Sequence, residues 1–215
     1  MSIHARITAC FVREIAGAIS ELSEVVGGYR HDGQVDITFA ADEIRFVAYP
    51  FVGASVYPAG VLPVADIRDV DVSAWPPEIR TRAGETVFVH GGSRAELAEF
   101  CRRNGVVEVY RVDVWADLLE PFLDTQFDAT HEDFTLSRLR SVGFSAGEVA
   151  EIRARVGPLM ESYNFDTMLW EWVHLGLHDL LSALVWSRVS RRARRSLGDP
   201  AEVYRWAMAI AERGA

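Results

Sequence analysis

From Ile3 to Phe11 every second residue is apolar, with Ile3, Ala5, Ile7, Ala9 and Phe11 on one side, the period of a half-buried strand. Ile15, Ile19, Leu22 and Val26 then recur at helical spacing until Gly27 and Gly28 stop the run, so a strand and a helix are predicted to open the chain. After a turn at His31, Asp32 and Gly33, Val35, Ile37 and Phe39 alternate again. A polar break at Asp42 and Glu43 leads to Ile44, Phe46 and Ala48, and the two runs read as an antiparallel pair.

Five of the eight prolines fall between Pro50 and Pro77, which disfavours helix and predicts short, connected strands. Ile79–Thr81 and Thr86–His90 flank Arg82, Ala83, Gly84 and Glu85, a four-residue hairpin loop. Ser93 with Glu96 forms a capping box for a helix that carries Leu97, Phe100 and Cys101 inward and ends near Asn104 and Gly105. Val106–Val112 is predicted as a further strand, and Asp113 opens a helix through Trp115, Leu118, Leu119 and Phe122.

The chain turns polar and acidic from Asp124 to Asp133, and no strand pattern follows. Phe134, Leu136 and Leu139 predict a first helix of this part, and Ser145 with Glu148 caps a second. Asn164 or Asp166 starts a long third helix, and Asp199, Pro200 and Glu202 begin a fourth that turns Val203, Trp206, Ala207 and Ile210 inward. The element order predicts an α+β protein. Residues 1–125 would hold a mixed or mostly antiparallel sheet with two or three helices, and 126–215 a helical bundle packed against it.

Composition bounds the function classes. With 49% hydrophobic residues the chain can fill a real core. No positively charged leader precedes an apolar segment and no apolar run is long enough for a span, so neither secretion nor membrane insertion is expected, and a cytoplasmic location follows by default. Cys10 and Cys101 read as buried reduced thiols. All 22 cations are Arg, which removes Schiff-base, P-loop-lysine and Ser-Lys chemistry; a GC-rich bacterial genome is the simplest cause. Residues 1–125 carry 11 Arg against 19 acids and 126–215 carry 11 against 12, so the first part should repel nucleic acid and anionic membranes.

The richest stretch chemically is Met168–Trp186, where 13 of 19 residues are apolar. On a continuous helix Glu171, His174, His178, Asp179 and Ser182 would share one arc, opposite Leu169, Val173, Leu177, Leu180 and Leu184. Glu171, His174 and His178 could reach one divalent transition metal, with Asp179, His131 or Glu132 as a further ligand, which gives a metal-dependent hydrolase as the alternative reading. The zinc-protease pattern needs Glu where this chain has Leu175, and the di-iron bundles need a second Glu-x-x-His motif. A hydrogen-bonded polar stripe without any cofactor is therefore preferred.

Other acidic groups read as structure. Asp124, Asp128, His131, Glu132 and Asp133 lack the spacing of a calcium loop and suit a solvated linker, while Asp66, Asp69 and Asp71 suit an exposed strand edge. His90, Gly91, Gly92 and Ser93 suit a tight turn before a helix. Arg188, Arg191, Arg192, Arg194 and Arg195 crowd the predicted end of the long helix, beyond what helix-dipole stabilisation requires, and form a candidate surface for an anionic partner. No aromatic residue interleaves them to stack bases, so nucleic acid is disfavoured except through this cluster.

The run Glu78–Gly105, a hairpin and then a helix, resembles the end of a bacterial pleckstrin-homology-like barrel and covers under a third of the chain. Thr86–Leu123 is similar to the core of restriction-endonuclease-like folds but lacks the Lys that their acidic pair requires. Neither resemblance carries a functional residue over. The expected function is a soluble intracellular binding or regulatory protein that acts on another protein through a surface and not by catalysis.

Overall fold

In the computed structural model, which describes residues 36–123, 129–165 and 174–214, the alternating residues from Ile37 onward form two three-stranded antiparallel sheets. The first joins β1 (Ile37–Phe39), β2 (Glu43–Phe46) and β3 (Gly60–Pro63) in that order, with Phe39 opposite Ile44 and Arg45 opposite Val61. Its period-2 pattern buries Ile44, Phe46 and Leu62 and leaves Arg45 and Val61 in solvent. The second joins β4 (Ile67–Asp71), β5 (Glu78–Thr81) and β6 (Thr86–Phe88). The predicted hairpin closes where Thr81 N–H donates to Glu85 C=O at 2.8 Å, with Gly84 at φ +81°, a conformation that only glycine adopts without strain.

Helices follow: α1 (Arg94–Asn104), α2 (Val114–Leu119), α3 (Ala129–Ser141), α4 (Ala146–Phe165), α5 (Leu177–Val185), α6 (Arg191–Ser196) and α7 (Pro200–Ala211). The described residues thus make an α+β fold with a helical C-terminal part, as the element order predicts. Ser145 and Asp199 cap as expected, accepting from Glu148 N–H at 3.1 Å and from Ala201 and Glu202 N–H at 3.0 Å.

Four expectations are corrected. Ser93 does not cap α1: the chain enters through a single 3₁₀ turn, Gly91–Ser93, in which His90 Nδ1 accepts from Gly92 N–H at 3.1 Å. Val106–Val112 is not a strand. It touches the edge of β4 at one parallel bridge, Val70 to Glu108, and then Asp71 Oδ2 takes Arg111 N–H at 3.0 Å where a ladder carbonyl would be needed. The acidic linker is shorter than expected, because His131, Glu132 and Asp133 already belong to α3. Asn164 lies in the last turn of α4, and α5 starts only at Leu177, after non-helical His174, Leu175 and Gly176. The predicted opening strand and helix, Cys10, Val35, Asp124, Asp128 and the stretch 166–173 with Glu171 lie outside the described residues.

Val35–Ala215 make up one compact unit. Trp115, fully buried, donates its indole N–H to Ala207 C=O at 3.0 Å and ties α2 to α7. Tyr204 on α7 donates to Glu85 Oε1 at 2.7 Å, and Arg68 on β4 makes a bidentate pair with Glu212 at 2.7 and 2.8 Å. Side chains of both sheets and of all seven helices share the core. None of the described helices is long and apolar enough to cross a membrane.

Candidate functional site

His174, Leu175 and Gly176 are not helical and α5 begins at Leu177, so His174 and His178 do not share a helical face. His174 is exposed just ahead of α5, while His178 is half-buried, edge-on to Phe51 and Phe88 with ring centroids 5.7 and 5.1 Å away. Asp179 turns inward and closes the start of its own helix, Oδ2 accepting from Gly176 N–H at 2.8 Å and Oδ1 lying 3.4 Å from the Tyr163 hydroxyl. Burial pushes Asp179 up to about 7. Among the described residues no group of three or more His, Cys, Asp or Glu is placed to hold a metal ion. Glu171 and the side chain of His131 are not among them.

Asp113 carries a role that spacing alone does not reveal. It caps α2 as predicted, Oδ1 accepting from Trp115 N–H at 2.8 Å, and Oδ2 also accepts from Leu177 N–H at 3.0 Å at the start of α5. One carboxylate thereby orients two helix ends far apart in sequence. Burial pushes its pKa up, and the two backbone N–H groups and His174 draw it back.

The remaining acids are drawn into the structure. Asp66 is exposed in a single 3₁₀ turn, Val64–Asp66, but Asp69 pairs with Arg80 and with Arg68. Asp71 is buried and accepts the N–H of Ser73, Ala74 and Arg111, so the expected exposed acidic edge is not present. Behind it burial pushes Glu78 up to about 8, with the charge of Asp113 adding to the effect. Cys101 is a free buried thiol pushed up to about 11 by desolvation, which makes it a core residue and not a nucleophile.

The arginine cluster is differently placed from expectation. α5 ends at Val185; Arg188 lies in the following turn, and Arg191, Arg192, Arg194 and Arg195 belong to the separate α6, started by Ser190, whose Oγ accepts from Ala193 N–H at 3.1 Å. Val189, Ala193 and Leu197 face the core. Arg188, Arg191, Arg192 and Arg195 are exposed, whereas Arg194 is half-buried with Nε lacking a hydrogen-bond partner among the described residues. No described carboxylate pairs with any of the five, although Arg45, Arg68, Arg80, Arg102, Arg138 and Arg213 each hold one. Arg188 stands over Trp186 at 5.9 Å from the ring centre. Comparison with known protein families, with curated proteins and with solved structures finds no match for this chain.

Proposed function

We propose that this chain is an intracellular binding or regulatory protein that acts through a surface, with Arg188, Arg191, Arg192 and Arg195 as its contact residues and an acidic segment of another protein as its partner. The observation that carries this reading is that these four neighbouring guanidinium groups are exposed and unpaired among the described residues, in a chain with 31 acids against 22 cations. Like charges so close repel one another, and intramolecular carboxylates are abundant enough to quench them. A partner carboxylate would relieve that repulsion through the planar, two-point geometry that guanidinium offers. Trp186, the ring that Arg188 stands over, is half-buried, which supports carboxylate recognition over base stacking.

The test is binding of a fluorescent oligoglutamate peptide to the full chain at low salt, beside a single-stranded oligonucleotide of equal charge. The peptide should bind more tightly than the oligonucleotide, weaken with added salt, and lose about tenfold or more in affinity in Arg191→Ala/Arg192→Ala/Arg195→Ala. Equal peptide binding by the folded variant and its parent, or none by the parent, would refute the reading.

A further inference from the structure

Between β4, β5 and the segment entering α2 on one side, and the C-terminal half of α3 on the other, lies an open cleft of about 650 Å³. That is an ordinary volume for a small-molecule site. Val109, Val112, Val114 and Val142 form its apolar wall, and Tyr110 is largely exposed beside them. Four guanidinium groups also line it, those of Arg68, Arg80, Arg111 and Arg138.

Asp69 is engaged by Arg80 and Arg68, Glu212 by the bidentate bond from Arg68, and Asp117 by Arg138. Arg111 remains. Its side chain is 7% exposed, Nη2 donates to Ala211 C=O, and Nη1 has no hydrogen-bond partner among the described residues. The carboxylate oxygen within reach, Glu212 Oε1 at 3.8 Å, is already held by Arg68 at 2.7 Å. The charges of Glu78 and Asp113 also act on Arg111, and neither carboxylate forms an ion pair with it. A desolvated cation with an unmet donor is costly.

We propose that this cleft binds a small amphipathic monoanion, an apolar body bearing one carboxylate, with the valines against the body and the carboxylate toward Arg68, Arg111 and Arg138. Arg68 and Arg138, 30% and 45% exposed, are the donors that an entering ligand meets first, with the unmet donor of Arg111 behind them. Because Arg68, Arg80 and Arg138 are each already paired with a carboxylate, the cleft suits the single charge of a carboxylate better than the double charge of a phosphomonoester. The site is independent of α6 and of the function proposed for it.

Calorimetric titration of the full chain with naphthoate and decanoate, with the corresponding neutral amides, and with naphthyl phosphate tests this. At least one carboxylate should bind, its amide should bind about tenfold or more weakly, and the phosphate should bind no more tightly. Arg138→Gln, at a half-exposed position where the fold is expected to survive, should weaken the carboxylate about tenfold and leave the amide unchanged. Arg191→Ala/Arg192→Ala should alter neither, which separates this outcome from that of the α6 reading. Failure of the folded parent to bind either carboxylate, equal affinity for acid and amide, or unchanged carboxylate binding by folded Arg138→Gln would overturn the proposal.

Discussion

Asp113 and Gly176 depend on each other. Because Asp113 Oδ2 reaches across to Leu177 N–H, a Cβ placed on Gly176 would lie 2.3 Å from that oxygen. Gly176→Ala is therefore expected to destabilise the protein by roughly 1–3 kcal/mol in urea unfolding, and Asp113→Ala, which removes two caps at once, by roughly 1–4 kcal/mol. A loss below about 0.5 kcal/mol for Asp113→Ala would mean that water replaces both caps. Half-buried Glu78 and buried Asp179 set the pH dependence. Their folded values, about 8 and about 7, lie above their ordinary 4.5 and 3.8, so the folded state holds more protons between those limits. Stability should accordingly be highest near the acid end of that window and fall as pH rises through it, and Glu78→Gln with Asp179→Asn should flatten the curve. A stability that climbs from pH 5 to pH 8 in the parent would contradict this assignment.

α6 shows what holds a short helix in place when its charges do not. Arg191 and Arg192 occupy the first turn, where the helix dipole disfavours cations, yet Ser190 caps the start and Ala193 and Leu197 are buried. Removing the exposed arginines should therefore change stability by no more than about 0.5 kcal/mol, or raise it slightly as repulsion is relieved. By contrast Leu180→Ala on α5, at a fully buried position, should cost about 2–5 kcal/mol through lost transfer energy and the cavity left behind. Chemical denaturation of the two variants side by side checks this. A destabilised arginine-free α6 would assign those side chains to folding and not to a partner.

The second sheet and α7 are tied by side chains at opposite ends of the described chain. Arg68 meets Glu212, Tyr204 meets Glu85, and Thr86 N–H lies 3.2 Å from Met208 Sδ. Residues 35–215 should accordingly unfold as one cooperative unit. All six tryptophans lie beyond residue 34, so their fluorescence reports on this unit alone. Its transition is expected to coincide with the loss of helical circular dichroism, whereas two resolved transitions would favour separate domains divided near residue 125.

Local pattern was enough for the elements that depend on local physics. Alternation marked β1 and β2, the Arg82–Glu85 loop marked the hairpin, and Asp113, Ser145 and Asp199 marked three helix starts, because strand period, turn conformation and capping all act within a few residues. Apolar periodicity misled at 174–176, where it runs on through Leu175 while the backbone is not helical; the N–H groups of Gly176 and Leu177 are taken by carboxylates, one of them from a distant turn. The arginine cluster was legible as a cluster but not as a separate helix, since its placement follows from the break after Val185. The cleft left no trace in spacing: Arg68, Arg111 and Arg138 come from three different elements, and Glu212 is 144 residues from the arginine it neutralises. Residue types and their short-range order thus set the α+β class, the helix caps and the exclusion of lysine chemistry. Which charges are paired, and which donor is left unmet, follows from long-range packing, because Coulomb energy and desolvation depend on distance and burial in three dimensions and not on separation along the chain.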